Sequence, residues 1–193
     1  MSNSETKLRQ EEALEQISYL KKIIEGTRIR AATGYPFLFI WGVIWIIGFG
    51  AGTWVKGWKY GLVWGVLNLT GLTITYIVRY MRRNLSKNTL IMKQLGRLNW
   101  ILAVASILFF TFFLIPLGER ILSLYWPFWV GVIYIVNSVF IGKQLAIFGL
   151  LLIAESLLAF IIPMPYFYYW LSLCGVTFIM TGFIFMKQAK THE

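Results

Sequence analysis

The sequence predicts an all-α fold: a polytopic membrane protein with six transmembrane helices in three hairpins, preceded by a cytosolic amphipathic helix. Three observations carry this reading. Hydrophobic residues make up 58% of the 193-residue chain and the mean hydropathy is +0.68. That is more apolar surface than a soluble domain of this length can bury, so lipid has to solvate it. Long uncharged gaps divide the chain, and its basic residues are sorted to alternate connections. Strands are excluded by the length of the gaps and by the lack of alternation.

The domains follow as 1–33, a cytosolic helix; 34–187, the transmembrane domain; and 188–193, a cytosolic tail. In the first, Ser2 and Glu5 fit a capping box, each side chain satisfying the other's free backbone N–H. Leu14, Ile17, Leu20 and Ile24 recur at helical spacing on one face. Glu11, Glu12 and Glu15 come early and Lys21, Lys22 and Arg28 late, the order that suits a helix dipole. Such a helix covers the end of the bundle in solvent, or docks a partner through residues 4–30. Gly34-Tyr35-Pro36 then breaks the chain at the bilayer entrance. No cleavable signal peptide is expected, because the first 30 residues are polar and end in charges.

The spans follow from the gaps. Arg30 to Lys56 leaves 25 uncharged residues, Lys59 to Arg79 leaves 19, Arg97 to Glu119 leaves 21 and Arg120 to Lys143 leaves 22. The gap from Lys143 to Lys187 holds 43 residues and one charge, Glu155. A helix crosses the hydrocarbon in about 20 residues, so this last gap is two spans, broken at Pro163 and Pro165. Six spans result, near 35–54, 60–80, 98–116, 122–141, 145–162 and 167–186. Short connections, "VKGWK", "GER" and "PMP", tie them into three hairpins. The even-numbered spans begin alike, "YGLVWGV", "YWPFWVGV" and "YYWLSLCGV". Three hairpin repeats would explain this; so would the aromatic belt and basic flanks of any membrane protein.

Orientation comes from charge. With six spans both termini share a side, and fifteen of the eighteen basic residues fall there; Lys56, Lys59 and Arg120 are the other three. The positive-inside rule places the fifteen, and both termini, in the cytoplasm of a cell with a bacterial-type cytoplasmic membrane. The net charge of +10 is therefore a topology signal rather than a nucleic-acid footprint. Arg79, Arg82, Arg83, Lys87, Lys93 and Arg97 cluster without an acid and are expected against anionic headgroups, each contributing about 1 kcal/mol.

No catalytic constellation is legible. The chain has no Asp, one His (His192, in the tail) and one Cys, Cys174, so neither a disulfide nor a His-based or cysteine metal site is expected, and no cofactor. No nucleotide, zinc-protease or serine-hydrolase motif occurs, which argues against an enzyme. The strongest single signal is Glu155. An acid at a helix centre costs roughly 2.5–3.5 kcal/mol on insertion scales and usually faces inward with a partner. It is either a proton or cation site or a protonated carboxyl bonding two helices together. By depth, Asn68 matches it; Trp64 shares a helix face with Asn68, and Tyr134 and Asn137 lie three apart nearer the cytoplasm. Together they could line one cavity for an organic cation or an amphiphile, or Asn could serve as interhelical glue.

The stretch "ISYLKKIIEGTRIRAATGYPFLFIWGVIWIIGFG" (17–50) resembles uncharacterised bacterial multi-span membrane proteins with an N-terminal cytosolic helix, some of them encoded beside winged-helix regulators. "WGVLN" (64–68), with Trp126, Trp129 and Asn137, resembles the Trp/Asn pockets of small vitamin and sugar transporters, although the spacing and span count differ. The expected function is a non-enzymatic sensor or accessory protein that binds a lipid or amphiphile between its helices and signals through the N-terminal helix. The alternative is a small proton-coupled transporter of an organic cation or other small solute using Glu155. The oligomeric state is open.

Overall fold

The computed structural model describes residues 3–81, 90–109, 118–164 and 166–191. Among them lie seven α-helices and no strand: α1 (Asn3–Ala32), α2 (Tyr35–Ala51), α3 (Trp58–Met81), α4 (Leu90–Phe109), α5 (Glu119–Ile141), α6 (Lys143–Ala159) and α7 (Tyr166–Thr191). The Ser2–Glu5 capping box, residues 110–116 of the third expected span, and Arg82, Arg83 and Lys87 lie outside the described residues.

The helix breaks fall where the sequence places them. Pro36 stands in the first turn of α2, where its missing N–H costs nothing. α5 and α6 are joined by Gly142 alone, at φ 132°, a conformation that side-chain-bearing residues rarely adopt. Among the described residues three helices, where six spans were expected, are long and apolar enough to cross a membrane: Trp58–Met81, Arg120–Ile141 and Tyr166–Thr191. α2 and α6 have 17 residues each, because the chain turns out of the helix at Gly52 and Phe160 rather than continuing to 54 and 162. α4 is described over 20 residues and carries Lys93 and Arg97 near its start.

Packing does not follow the hairpins. The two most extensive contacts are α2 on α7 and α5 on α6. Both are glycine crossings. A Cβ on Gly175 would lie 2.5 Å from the Gly42 carbonyl oxygen, and one on Gly149 would lie 2.6 Å from that of Gly131. In all four helices an isoleucine four residues after the glycine (Ile46, Ile135, Ile153, Ile179) lies over the opposing glycine. Backbones approach closely at such sites because no side chain separates them.

Between α2, α3 and α7 runs a chain of edge-on rings. Phe178 meets Trp45 at 4.7 Å between centroids, Trp45 meets Phe49 at 5.6 Å, Phe49 meets Trp64 at 5.0 Å, and Tyr60 meets Tyr168 at 5.4 Å. α7 is the centre of the bundle, with Phe167, Tyr168, Leu171, Cys174 and Phe178 buried along it, whereas α3 buries only Tyr60 and Gly71. α1 docks by its last turns, with Thr27 and Ala32 buried, against α5 and α7. Its stripe Leu14, Ile17, Leu20 and Ile24 is exposed.

Candidate functional site at the contact of α6 and α7

Glu155 projects from α6 toward α7. Two flanking residues of α6, Leu152 and Ser156, are buried, and Ser156 Oγ donates to the Leu124 carbonyl of α5 at 2.6 Å, fixing the rotation of α6. On α7, Trp170, Cys174 and Thr177 follow at helical spacing on one face. Thr177 Oγ1 donates to Glu155 Oε1 at 2.6 Å, and the Trp170 indole N–H donates to the Glu155 backbone carbonyl at 2.8 Å. Cys174, fully buried, lies against the same carboxyl. Glu155 Oε2 is buried with no hydrogen-bond partner. One carboxyl oxygen is thus held by Thr177, while the other is buried without a hydrogen-bond partner.

The other expected site residues are placed elsewhere. Asn68 is exposed on α3 and its Nδ2 donates to the Trp64 carbonyl one turn back, at 2.8 Å. Trp64 packs between Phe49 and Tyr60 and lies flat over Gly48, where a Cβ would meet its ring at 2.7 Å. Asn137 is buried on α5 and donates to Asn99 Oδ1 of α4 at 3.0 Å; its own Oδ1 has no partner. Tyr134 stacks edge-on against Phe178 at 5.7 Å. Tyr134 and Trp64 thus share one aromatic core, Asn137 belongs to the contact of α4 and α5, and neither amide reaches Glu155. Of the basic cluster, Arg79 is exposed near the end of α3, and Lys93 and Arg97 are exposed in the first half of α4.

The aromatic end of α7 borders an open cleft of about 250 Å³, lined by Ile162, Tyr166, Tyr169, Trp170 and Leu173. Trp170 is the one residue that both lines this cleft and touches Glu155.

The charges at this end of the bundle close helices. Arg120 donates from Nη2 to the carbonyls of Phe160 and Ile162, both at 2.6 Å, and to Ala159 at 3.3 Å, while its guanidinium lies 5.1 Å from the Phe167 ring centroid. Lys56 Nζ donates to the Gly52 carbonyl at 2.6 Å and lies 4.6 Å from the Tyr168 ring centroid. These cations satisfy the orphan carbonyls that end α6 and α2. Thr177, Trp170, Asn99 and Arg120 are the residues that reading the sequence missed. Thr177 and Trp170 carry no distinctive signal there; Arg120, an isolated cation between two apolar runs, does. Compared with known proteins, the chain matches no family model, no curated protein and no solved structure.

Proposed function

We propose that the chain is an integral membrane protein with six spans and both termini in the cytoplasm, acting as a non-enzymatic sensor or accessory protein. It takes a lipid or amphiphile between its helices and passes the state of the bundle to a partner through α1. Helix dimensions support the count. At 1.5 Å per residue the 17 residues of α2 or α6 reach about 26 Å, and one further turn reaches the ~30 Å hydrocarbon thickness. Modest mismatch is accommodated by thinning of the bilayer or by flanking residues.

The observation that carries the signalling reading is α1. Its last turns are wedged against α5 and α7, whereas residues 11–22 are exposed. A continuous helix anchored this way moves with the two helices it touches, and its free length is the surface a cytosolic partner meets. Deleting residues 1–25 keeps Thr27 and Ala32 in place, so the bundle should stay inserted and folded while partner capture from the native membrane is lost. Recovery of the same partners by the shortened chain would reject signalling through α1.

The second reading, a proton-coupled transporter, is favoured by the bare Oε2 of Glu155. Glu155→Gln keeps size and hydrogen bonding but cannot ionise. In proteoliposomes under an imposed pH gradient, a transporter should carry organic cations as wild type and lose that coupled flux as Gln. A carboxyl that only joins α6 to α7 should be nearly silent to the change, since interhelical hydrogen bonds average about 0.6 kcal/mol. Equal flux in both proteins, or none in wild type, removes the coupling role.

A further inference from the structure

The three hairpins repeat, and one of their contacts is missing. Tyr125-Trp126, Gly131-Val132 and Ile135 of α5, with Lys143-Gln144 just past its end, recur at a constant spacing in α7 as Tyr169-Trp170, Gly175-Val176, Ile179 and Lys187-Gln188. Gly131 receives Gly149 of the next helix, α6. Gly175 likewise receives Gly42 of α2, which closes the circuit. α3 is the third member. Its Trp64 seats on Gly48 of α2, as Trp170 bonds to Glu155 of α6, each tryptophan meeting the preceding helix six residues past that helix's crossing glycine.

The pattern requires α3 to lie on α4, yet among the described residues the two barely touch. The reason is in the residues. Counted from the tryptophan, the position of Gly131 and Gly175 is held in α3 by Leu69. Counted from the shared Lys-Gln-Leu that opens α4 and α6, the position of Gly149 is held in α4 by Asn99, whose side chain is taken by Asn137. Backbone-to-backbone approach is therefore blocked, and the run of helix contacts α3–α2–α7–α6–α5–α4 is left open between its two ends. Leu69 on α3 is 68% exposed and Trp100 on α4 is 71% exposed.

Charge selects what fills the seam. Arg79 near the end of α3 and Lys93 and Arg97 in the first half of α4 are exposed, and neither helix contains an acid. An apolar wall with exposed cations and no counter-anion complements an amphiphile with an anionic head. A second copy of the chain, inserted the same way up, would set its own Arg79, Lys93 and Arg97 at the same depth, like charge against like. We propose that the seam between α3 and α4 is a binding site for an anionic phospholipid, whose acyl chains replace the missing helix crossing and whose phosphate pairs with Arg79, Lys93 and Arg97. This rests on the membrane reading above and names the site and ligand class within it.

The test uses the full chain in vesicles of phosphatidylcholine and phosphatidylglycerol in equal parts. Flotation with the vesicles checks insertion alone. Native mass spectrometry of the floated protein then reads retained lipid. Wild type should keep phosphatidylglycerol in preference to phosphatidylcholine. The triple variant Arg79→Gln, Lys93→Gln, Arg97→Gln should lose that preference roughly tenfold while still floating and keeping its helical content. The control Lys187→Gln, Lys190→Gln, at the same end of α7, should keep it. A floated wild type with no preference, a control that loses as much as the triple variant, or a lipid-free dimer each overturns the site while leaving insertion intact. Inorganic phosphate that competes the lipid away would also overturn it, by showing that the apolar wall is irrelevant.

Discussion

A single missing methyl group sets the closest approach to opposing backbone among the described glycines. At Gly175 a Cβ would lie 2.5 Å from the Gly42 carbonyl and 2.7 Å from Ile46 Cγ1, and backbone cannot yield as a flexible side chain does. Gly65 on α3 has nothing within 4 Å of such an atom. Gly175→Leu should therefore destabilise the bundle by about 1–3 kcal/mol or more through overpacking. Gly65→Leu should stay within about 0.5 kcal/mol, as open positions do. Thermal unfolding in detergent, followed by helical signal, compares the two; equal effects would mean that the α2–α7 crossing is looser than described. At this same scale the sequence shows its reach and its limit. Glu155 is legible as a lone charge in an apolar run. Its partner is not, because Thr177 looks like any helix residue. Asn68 was matched to Glu155 by depth, but depth is one coordinate; rotation about the helix axis is the other, and packing sets it. That rotation leaves Asn68 exposed and bonded to its own helix.

Helices are the level at which the sequence speaks most clearly. The charge gaps place α2, α3, α5 and α7 within a few residues of their observed bounds, since a long apolar run satisfies its backbone best as a helix. The ends shift where side chains from other helices intervene. α6 stops at Ala159 because Arg120, on α5, takes the carbonyls that follow, and α2 stops at Ala51 as Tyr168 presses on Gly52. Which helices embrace was not legible. Short connections suggest hairpin partners, yet the glycine crossings join α5 to α6 and α2 to α7, and only three-dimensional coincidence reveals which glycine meets which. The stripe on α1 is compatible in sequence with solvent or with a partner, and it stands exposed among the described residues.

At the scale of the whole molecule, the charge count assigns Lys56, Lys59 and Arg120 to the side opposite the termini. Two of these three, Lys56 and Arg120, are engaged as helix caps. With Cys174 replaced, Ser2→Cys should be protected from an impermeant thiol reagent added outside intact cells, and Gly57→Cys should react. Labelling of Ser2→Cys from outside would invert the topology.

The embrace of α2 by α7 also sets a clock on synthesis. α2 is the first apolar helix of the chain and α7 the last, so Gly42 waits through the making of every intervening helix before Gly175 arrives. Until then its backbone face is open to any small-residue helix nearby. The α5–α6 pair, tied by Gly142 alone, has no such interval and can lock as it emerges. A chain halted before residue 166 therefore leaves Gly42 without the backbone that covers it in the finished fold.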